Sequence, residues 1–402
     1  MIDYGLPRDV KFCARCVISN QRPASTIEYA HNKDSKKVTI AFDENGVCDA
    51  CRAVEAKKSI NWNQREAELK DLCDRFRSKD GSHDCIVPGS GGKDSFYAAH
   101  MLKYKYGMTP LTVTWAPHIY TEWGWRNFQR WIHRGFDNWL CTPNGMTHRV
   151  ITRLAVDNLF HPFQPFIIGQ KAMAPKIAAL RKIPLVFYGE NEAEYGNPIE
   201  DNQKATRSWK YFTQDESKIH LGGASIKELK EDYGLRKADL EPYLPANPKD
   251  LKRVGVEVHY LGYYLKWHPQ GAYYYACENG DFEPAPERNP GTYSKYNSID
   301  DKIDDLHYFT TFVKFGIGRA SYDAAQEIRN GEITRAEGVA LVKRYDGEYP
   351  ERFEDEVFSY LSPKGFKKLD RKSFMEMADL WRPEHLWRKD SNGAWFLKRQ
   401  VS

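Results

Sequence analysis

Short apolar runs, set apart by longer stretches of mixed character, give this chain its pattern. Cys85-Ile86-Val87, Leu111-Thr112-Val113-Thr114-Trp115 and Leu185-Val186-Phe187-Tyr188 are compact and rich in β-branched or aromatic residues, so each reads as a buried strand. Between them apolar positions recur at helical spacing, as at Phe96, Ala99, Met101 and Leu102. This alternation predicts an α/β fold: a parallel sheet covered by helices on both faces, with ligands bound beyond the carboxyl ends of its strands. Upstream, Trp62, Leu69, Leu72 and Phe76 mark a charged amphipathic helix over residues 62–79. Further upstream, residues 37–42 read as a strand and 43–46 as a turn. From about Asp300 the pattern becomes helical and highly charged, with capping boxes expected at Thr334–Glu337 and Ser373–Glu376. Three regions are expected: 1–61, a cysteine-rich module; 62–299, the sheet domain; and 300–402, a helical appendage.

With 402 residues there is room for such a core, and a net charge of +4 gives no strong field for nucleic acid. A helix-turn-helix DNA reader over residues 321–346 is disfavoured on the same ground. The 11 Trp and 24 Tyr suit a pocket that stacks rings or sugars, as well as core packing. The first residues lack a basic flank and an apolar segment, and no apolar run is long enough for a bilayer. A cytoplasmic protein with no membrane or nucleic-acid partner is the expectation.

Eight cysteines in that setting point to metal or chemistry before disulfides. Cys13, Cys16, Cys48 and Cys51 form two Cys-x-x-Cys knuckles, the spacing of a structural Zn²⁺ cage, with an iron–sulfur cluster as the alternative. Cys73, Cys85, Cys141 and Cys277 are scattered and read as small apolar residues.

Directly after the first strand comes Pro88-Gly89-Ser90-Gly91-Gly92-Lys93-Asp94-Ser95. Its glycines permit a tight strand-to-helix turn with convergent backbone N–H groups. Ser90 and Ser95 add hydroxyls, Lys93 a cation and Asp94 a magnesium ligand. A Walker A loop would place Ser or Thr after the lysine. The segment resembles instead the PP-loop of the ATP pyrophosphatase superfamily, which cleaves ATP between its α- and β-phosphates.

The four-cysteine module ahead of this loop and Tyr188-Gly189-Glu190-Asn191-Glu192-Ala193-Glu194-Tyr195-Gly196 after it make the chain resemble the N-acetyl sugar amidotransferases. Residues 125–128, 141–145, 162–166, 314–319 and 328–331 extend the resemblance almost end to end. These enzymes act in surface-polysaccharide and flagellar sugar pathways. The similarity implies conversion of an acetamido group on a UDP-linked N-acetyl sugar into an acetamidino group, in lipopolysaccharide O-antigen synthesis. It also implies ATP, Mg²⁺ and structural Zn²⁺ as cofactors. Under this reading Ser90, Gly91, Gly92, Lys93, Asp94 and Ser95 hold the phosphates, and Trp115 borders the adenosine. Lys93, Asp94 and Glu190 are the catalytic set, with Asp94 and more weakly Glu190 on Mg²⁺. Trp125, Arg126, Asn127, Asn191 and Glu194 are candidates for sugar or ammonia. No cysteine sits in a glutaminase-type elbow, and Ile2 stands where an N-terminal nucleophile would be. Ammonia is therefore expected from a separate glutaminase and a cyclase-like subunit of the histidine-biosynthesis type. A tRNA-modifying PP-loop enzyme, a thiolase or lysidine-type ligase, is the competing reading.

Overall fold

The computed structural model describes residues 4–190 and 204–402. Six strands make one sheet: β1 (Cys85–Pro88), β2 (Pro110–Trp115), β3 (Asp137–Cys141), β4 (Leu185–Tyr188), β5 (Thr206–Arg207) and β6 (Glu257–Tyr260). Their order is β3-β2-β1-β4-β6-β5, and every neighbouring pair is parallel except the short β5 on β6. In register, Ile86 pairs with both Leu111 and Val186. The two-residue period of a strand divides the apolar runs between two cores. Ile86, Leu111, Val113 and Val186 join one cluster, while Cys85, Val87, Leu185 and Phe187 join the other.

On the second face lie α2 (Trp62–Phe76), which follows α1 (Asp49–Ala56), and then α3 (Lys93–His100) and α4 (Glu122–His133). The first face is covered by α5 (Gly145–Leu159) and α6 (Gln164–Arg181). α7 (Pro269–Gly280) packs on α3, with Gly280 against the Phe96 ring, where a Cβ would come within 2.4 Å.

After residue 300 come α8 (Asp304–Phe315), α9 (Arg319–Asn330), α10 (Arg335–Tyr345), α11 (Glu354–Tyr360) and α12 (Arg371–Leu380), then a hairpin of Trp387–Lys389 and Trp395–Leu397. These helices are built into the body of the protein. Their buried residues share a core with the cysteine module and the first sheet face. Tyr4 donates its hydroxyl to the Trp381 carbonyl at 2.9 Å, and Arg153 on α5 donates to the carbonyls of Leu361 and Lys367. No helix among the described residues is long and apolar enough to cross a membrane.

Several elements differ from expectation. Residues 37–42 form only isolated bridges, Pro23 with Thr39 and Phe42 with Cys48, because the insert is shaped by the cysteine cage and not by a sheet. Thr334 caps α10 in a reciprocal box with Glu337 as expected, but α12 starts earlier, with Asp370 as its cap and Ser373 as the third helical residue. An ionised carboxylate at the cap accepts from the Ser373 N–H at 2.8 Å and so outcompetes the serine as the starting point.

Candidate active site

At β1 the strand order reverses, with β2 on one side and β4 on the other. Such a switch leaves a crevice at the carboxyl ends of the two strands. The loop leaving β1 and Glu190 leaving β4 meet there, around a cleft of about 400 Å³. Gly91 has φ +83°, and a Cβ on it would lie 2.8 Å from the Phe128 Cα, so conformation and space both demand glycine. Gly92 is the N-cap of α3 and makes no side-chain cap, which leaves the first-turn N–H groups available to an anion.

Lys93 is only 5% exposed, and its Nζ lies 2.6 Å from Asp94 Oδ2. The other oxygen, Asp94 Oδ1, is buried with no hydrogen-bond partner. Burial, and then the charge of Asp94, raise the Glu190 carboxyl above its ordinary range. Two carboxylates converging in a buried cleft, one with an orphaned oxygen, fit a divalent cation. Ser90 and Ser95 both line the cleft; Ser95 Oγ donates to the Gly92 carbonyl at 3.1 Å, and the Ser90 hydroxyl faces the Asp300 carboxyl.

The opposite wall comes from residues 296–301 and α8. Burial raises the Asp300 carboxyl, which the Ser90 hydrogen bond partly offsets. Burial raises Asp304 well above the usual carboxylate range, with Arg319 opposing. Among the described residues no hydrogen bond reaches the Asp304 side chain. Asp301 is bound to His118 at the end of β2, Nδ1 to Oδ2 at 2.7 Å.

Other sequence candidates lie elsewhere. Trp115 shares strand parity with Leu111 and Val113, which turns its indole into the core against Gly169 and Tyr243. It is 2% exposed and off the cleft lining. Trp125 is 43% exposed and packs on Tyr120 and Phe128. Arg126 pairs with Glu122 and, at 3.5 Å, with Glu283. Neither lines the cleft. Asn127 lines the cleft, yet its amide is engaged with both the N–H and the carbonyl of Glu283. Asn191 and Glu194 lie outside the described residues. Sequence reasoning missed Lys171, which sits over the Tyr188 ring at 4.6 Å, and the acids of the far wall. Their signal is the run Ile299-Asp300-Asp301-Lys302-Ile303-Asp304-Asp305-Leu306, where acids alternate with apolar residues that must be buried.

The cysteine quartet is a separate site. Its four sulfurs lie within 4.8 Å of one another and are buried, with Cys13–Cys51 and Cys16–Cys48 both at 3.8 Å. A tetrahedron with metal–sulfur bonds of about 2.3 Å has edges of about 3.8 Å, so the cage fits zinc. Backbone N–H groups of Arg15, Cys16 and Cys48 point at Cys13 Sγ at 3.4 to 3.5 Å, as suits a thiolate.

Residues 290–401 match the family described as LPS biosynthesis protein WbpG-like, C-terminal domain. The chain carries a WbpG-like domain. The wall made by residues 296–301 and α8 falls inside it. An uncharacterized protein of Methanocaldococcus jannaschii, MJ1599, is 30% identical over 83 residues, which is 21% of this chain and 29% of that protein. The chain thus spans under a third of that relative's length. The U34-tRNA thiolase NcsA from Methanococcus maripaludis, solved with its 4Fe-4S cluster, aligns with 83% of this chain and 88% of that one, at 12% identity and a TM-score of 0.27. Strand order, the glycine loop after β1 and the crevice between β1 and β4 make the sheet domain a mostly parallel α/β fold with its cleft at the strand-order reversal. Joined to it, the WbpG-like domain closes the cleft.

Proposed function

We propose that this protein uses ATP to adenylate the acetamido oxygen of a nucleotide-linked N-acetyl sugar and then substitutes ammonia to give an acetamidino sugar, in lipopolysaccharide O-antigen synthesis. One observation carries the reading: a glycine loop opening a helix and a wall of the WbpG-like LPS biosynthesis domain enclose a single cleft. An amide carbon is a poor electrophile and its oxygen a poor leaving group. Attack of the amide oxygen on the α-phosphorus gives an O-adenylyl imidate and releases pyrophosphate. Ammonia adds to the imidate carbon, the C–O bond breaks with its electron pair going to AMP, and loss of a proton leaves the amidine.

In this scheme the N–H groups of Gly91 and Gly92 and those opening α3 cradle the phosphates, and Lys93 neutralises a phosphate oxygen. Asp94 and Glu190 hold Mg²⁺, which when bound supplies charge neutralisation at the phosphates. The cleft excludes water from the imidate, which would otherwise hydrolyse back to the amide. The sugar is UDP-linked, and ammonia comes from a separate glutaminase working with a cyclase-like subunit. A panel of UDP-N-acetyl sugars incubated with ATP, Mg²⁺ and ammonium at alkaline pH tests the proposal by mass spectrometry. Exchange of one O for NH with equimolar AMP and pyrophosphate is expected. AMP formation only with tRNA present refutes it.

A further inference from the structure

Two helices of the WbpG-like domain press against the cysteine cage. α9 packs on α1, the helix that carries Cys51. At the start of α10 the Arg335 guanidinium reaches the Cys13 carbonyl at 3.5 Å. Further along α10, a Cβ at Gly338 would lie 3.5 Å from the side chain of Val17, the neighbour of Cys16.

Arg22 stands at this junction. It is 4% exposed, and its Nε is buried without a hydrogen-bond partner. Its guanidinium lies over the Tyr322 ring of α9, 4.8 Å from the ring centre. A guanidinium keeps its charge at ordinary pH, so burying one is costly unless an anion answers it. Among the described residues Arg22 makes no ion pair with a carboxylate, and Asp49, next to Cys48, is paired with Arg52 at 2.9 Å. The groups whose field favours the Arg22 charge are Tyr322, Cys48 and Cys16, while burial and Arg329 oppose it. Burial raises the Tyr322 hydroxyl above its usual range, so this residue offers a ring and a dipole but no charge near pH 7. The thiolates remain. Four of them around one divalent ion leave a dianion, and a dianion in a buried cage needs a cation beside it.

We infer that Arg22, seated on the Tyr322 ring, is the counter-charge of the loaded cage and strengthens its hold on zinc, so that a helix of the WbpG-like domain helps to retain the metal. This rests on the zinc reading of the quartet and is independent of the reaction at the cleft. The role differs in sign from one of packing alone. Beside the loaded cage the guanidinium stabilises the protein; in a chain that cannot load metal it is a buried charge with no dianion opposite it.

Chelator competition on the intact chain, read as the free zinc concentration at half loading, tests the inference. Arg22→Met keeps the bulk, removes the charge and should weaken zinc binding by about 10- to 100-fold. Arg22→Lys, which keeps the charge, should recover most of that loss. Tyr322→Leu, which unseats the guanidinium, should weaken binding by less than Arg22→Met does. Melting temperatures supply the second measurement: Arg22→Met should lower the midpoint of the zinc-loaded chain and should not lower that of Cys48→Ser. Wild-type zinc affinity in Arg22→Met would overturn the proposal, and so would equal losses in Arg22→Met and Arg22→Lys. The same fall in midpoint in both backgrounds would assign Arg22 to packing and overturn it as well. Unchanged zinc affinity in Tyr322→Leu would remove the helix from the site. A chain that takes up no zinc would overturn the inference and leave the amidine reading untouched.

Discussion

The Asp301 carboxylate accepts from both the ring and the backbone of His118, Oδ2 lying 2.7 Å from Nδ1 and 2.6 Å from the amide nitrogen. It also receives the Ile303 N–H on its other oxygen at 3.0 Å. This one buried side chain therefore ties the WbpG-like domain to the end of β2. Asp301→Ala leaves these donors buried and unpaired and should cost about 1–3 kcal/mol of stability, read from the urea midpoint. The same variant should lose pyrophosphate release because the far wall of the cleft is no longer held.

Lys93 and Asp94 form a pair that is structural as well as chemical. Asp94→Asn strands a buried ammonium, so it should destabilise more than the double variant Lys93→Met/Asp94→Asn. Pyrophosphate release should fall by a factor on the order of 10² or more in Asp94→Asn, Lys93→Met and the double variant alike. A single variant that keeps wild-type turnover would remove its residue from the phosphate site.

Asp304 gives a pH signature. Its folded-state pKa is raised by burial, so the folded chain holds the proton more tightly than the unfolded chain. That contribution is fully present below the unfolded value of about 3.9 and is lost as pH rises through the folded value. Asp304→Asn, which cannot ionise, should therefore raise the denaturation midpoint at neutral and alkaline pH. The advantage should shrink steadily toward pH 4, where both chains are neutral at this position. A gain that grows on acidification would contradict the assignment.

One zinc per chain is expected from elemental analysis, with no visible iron–sulfur absorption. Cys48→Ser should lose the metal and lower the melting temperature, because cage and core fold together. Ammonium-dependent turnover per folded molecule should persist, since none of the four cysteines lines the cleft.

Much of this was legible where the signal is local. The glycine loop is readable because only glycine fits φ +83° beside Phe128, and the cysteine quartet because thiolate spacing encodes its own geometry. β3 was not readable: it is an edge strand beginning Asp137-Asn138, largely exposed, with Asn138 bonded to Thr112 and Thr114 of β2. The burial of the Trp115 indole was not read because its position at a strand's carboxyl end outweighed the parity that sends it inward with Val113. Asp300, Asp301 and Asp304 fall in the stretch that the sequence marks only as helical and highly charged. Only their partners, Ser90, His118 and Arg319, reveal them as a buried wall, and those partners are distant in sequence.

The cleft borrows that wall from a stretch about 200 residues downstream of the glycine loop. During translation the glycine loop and its sheet leave the ribosome first and remain open to water until residues 296–308 arrive. The cleft is thereby completed only after that stretch has been made and has folded against the sheet.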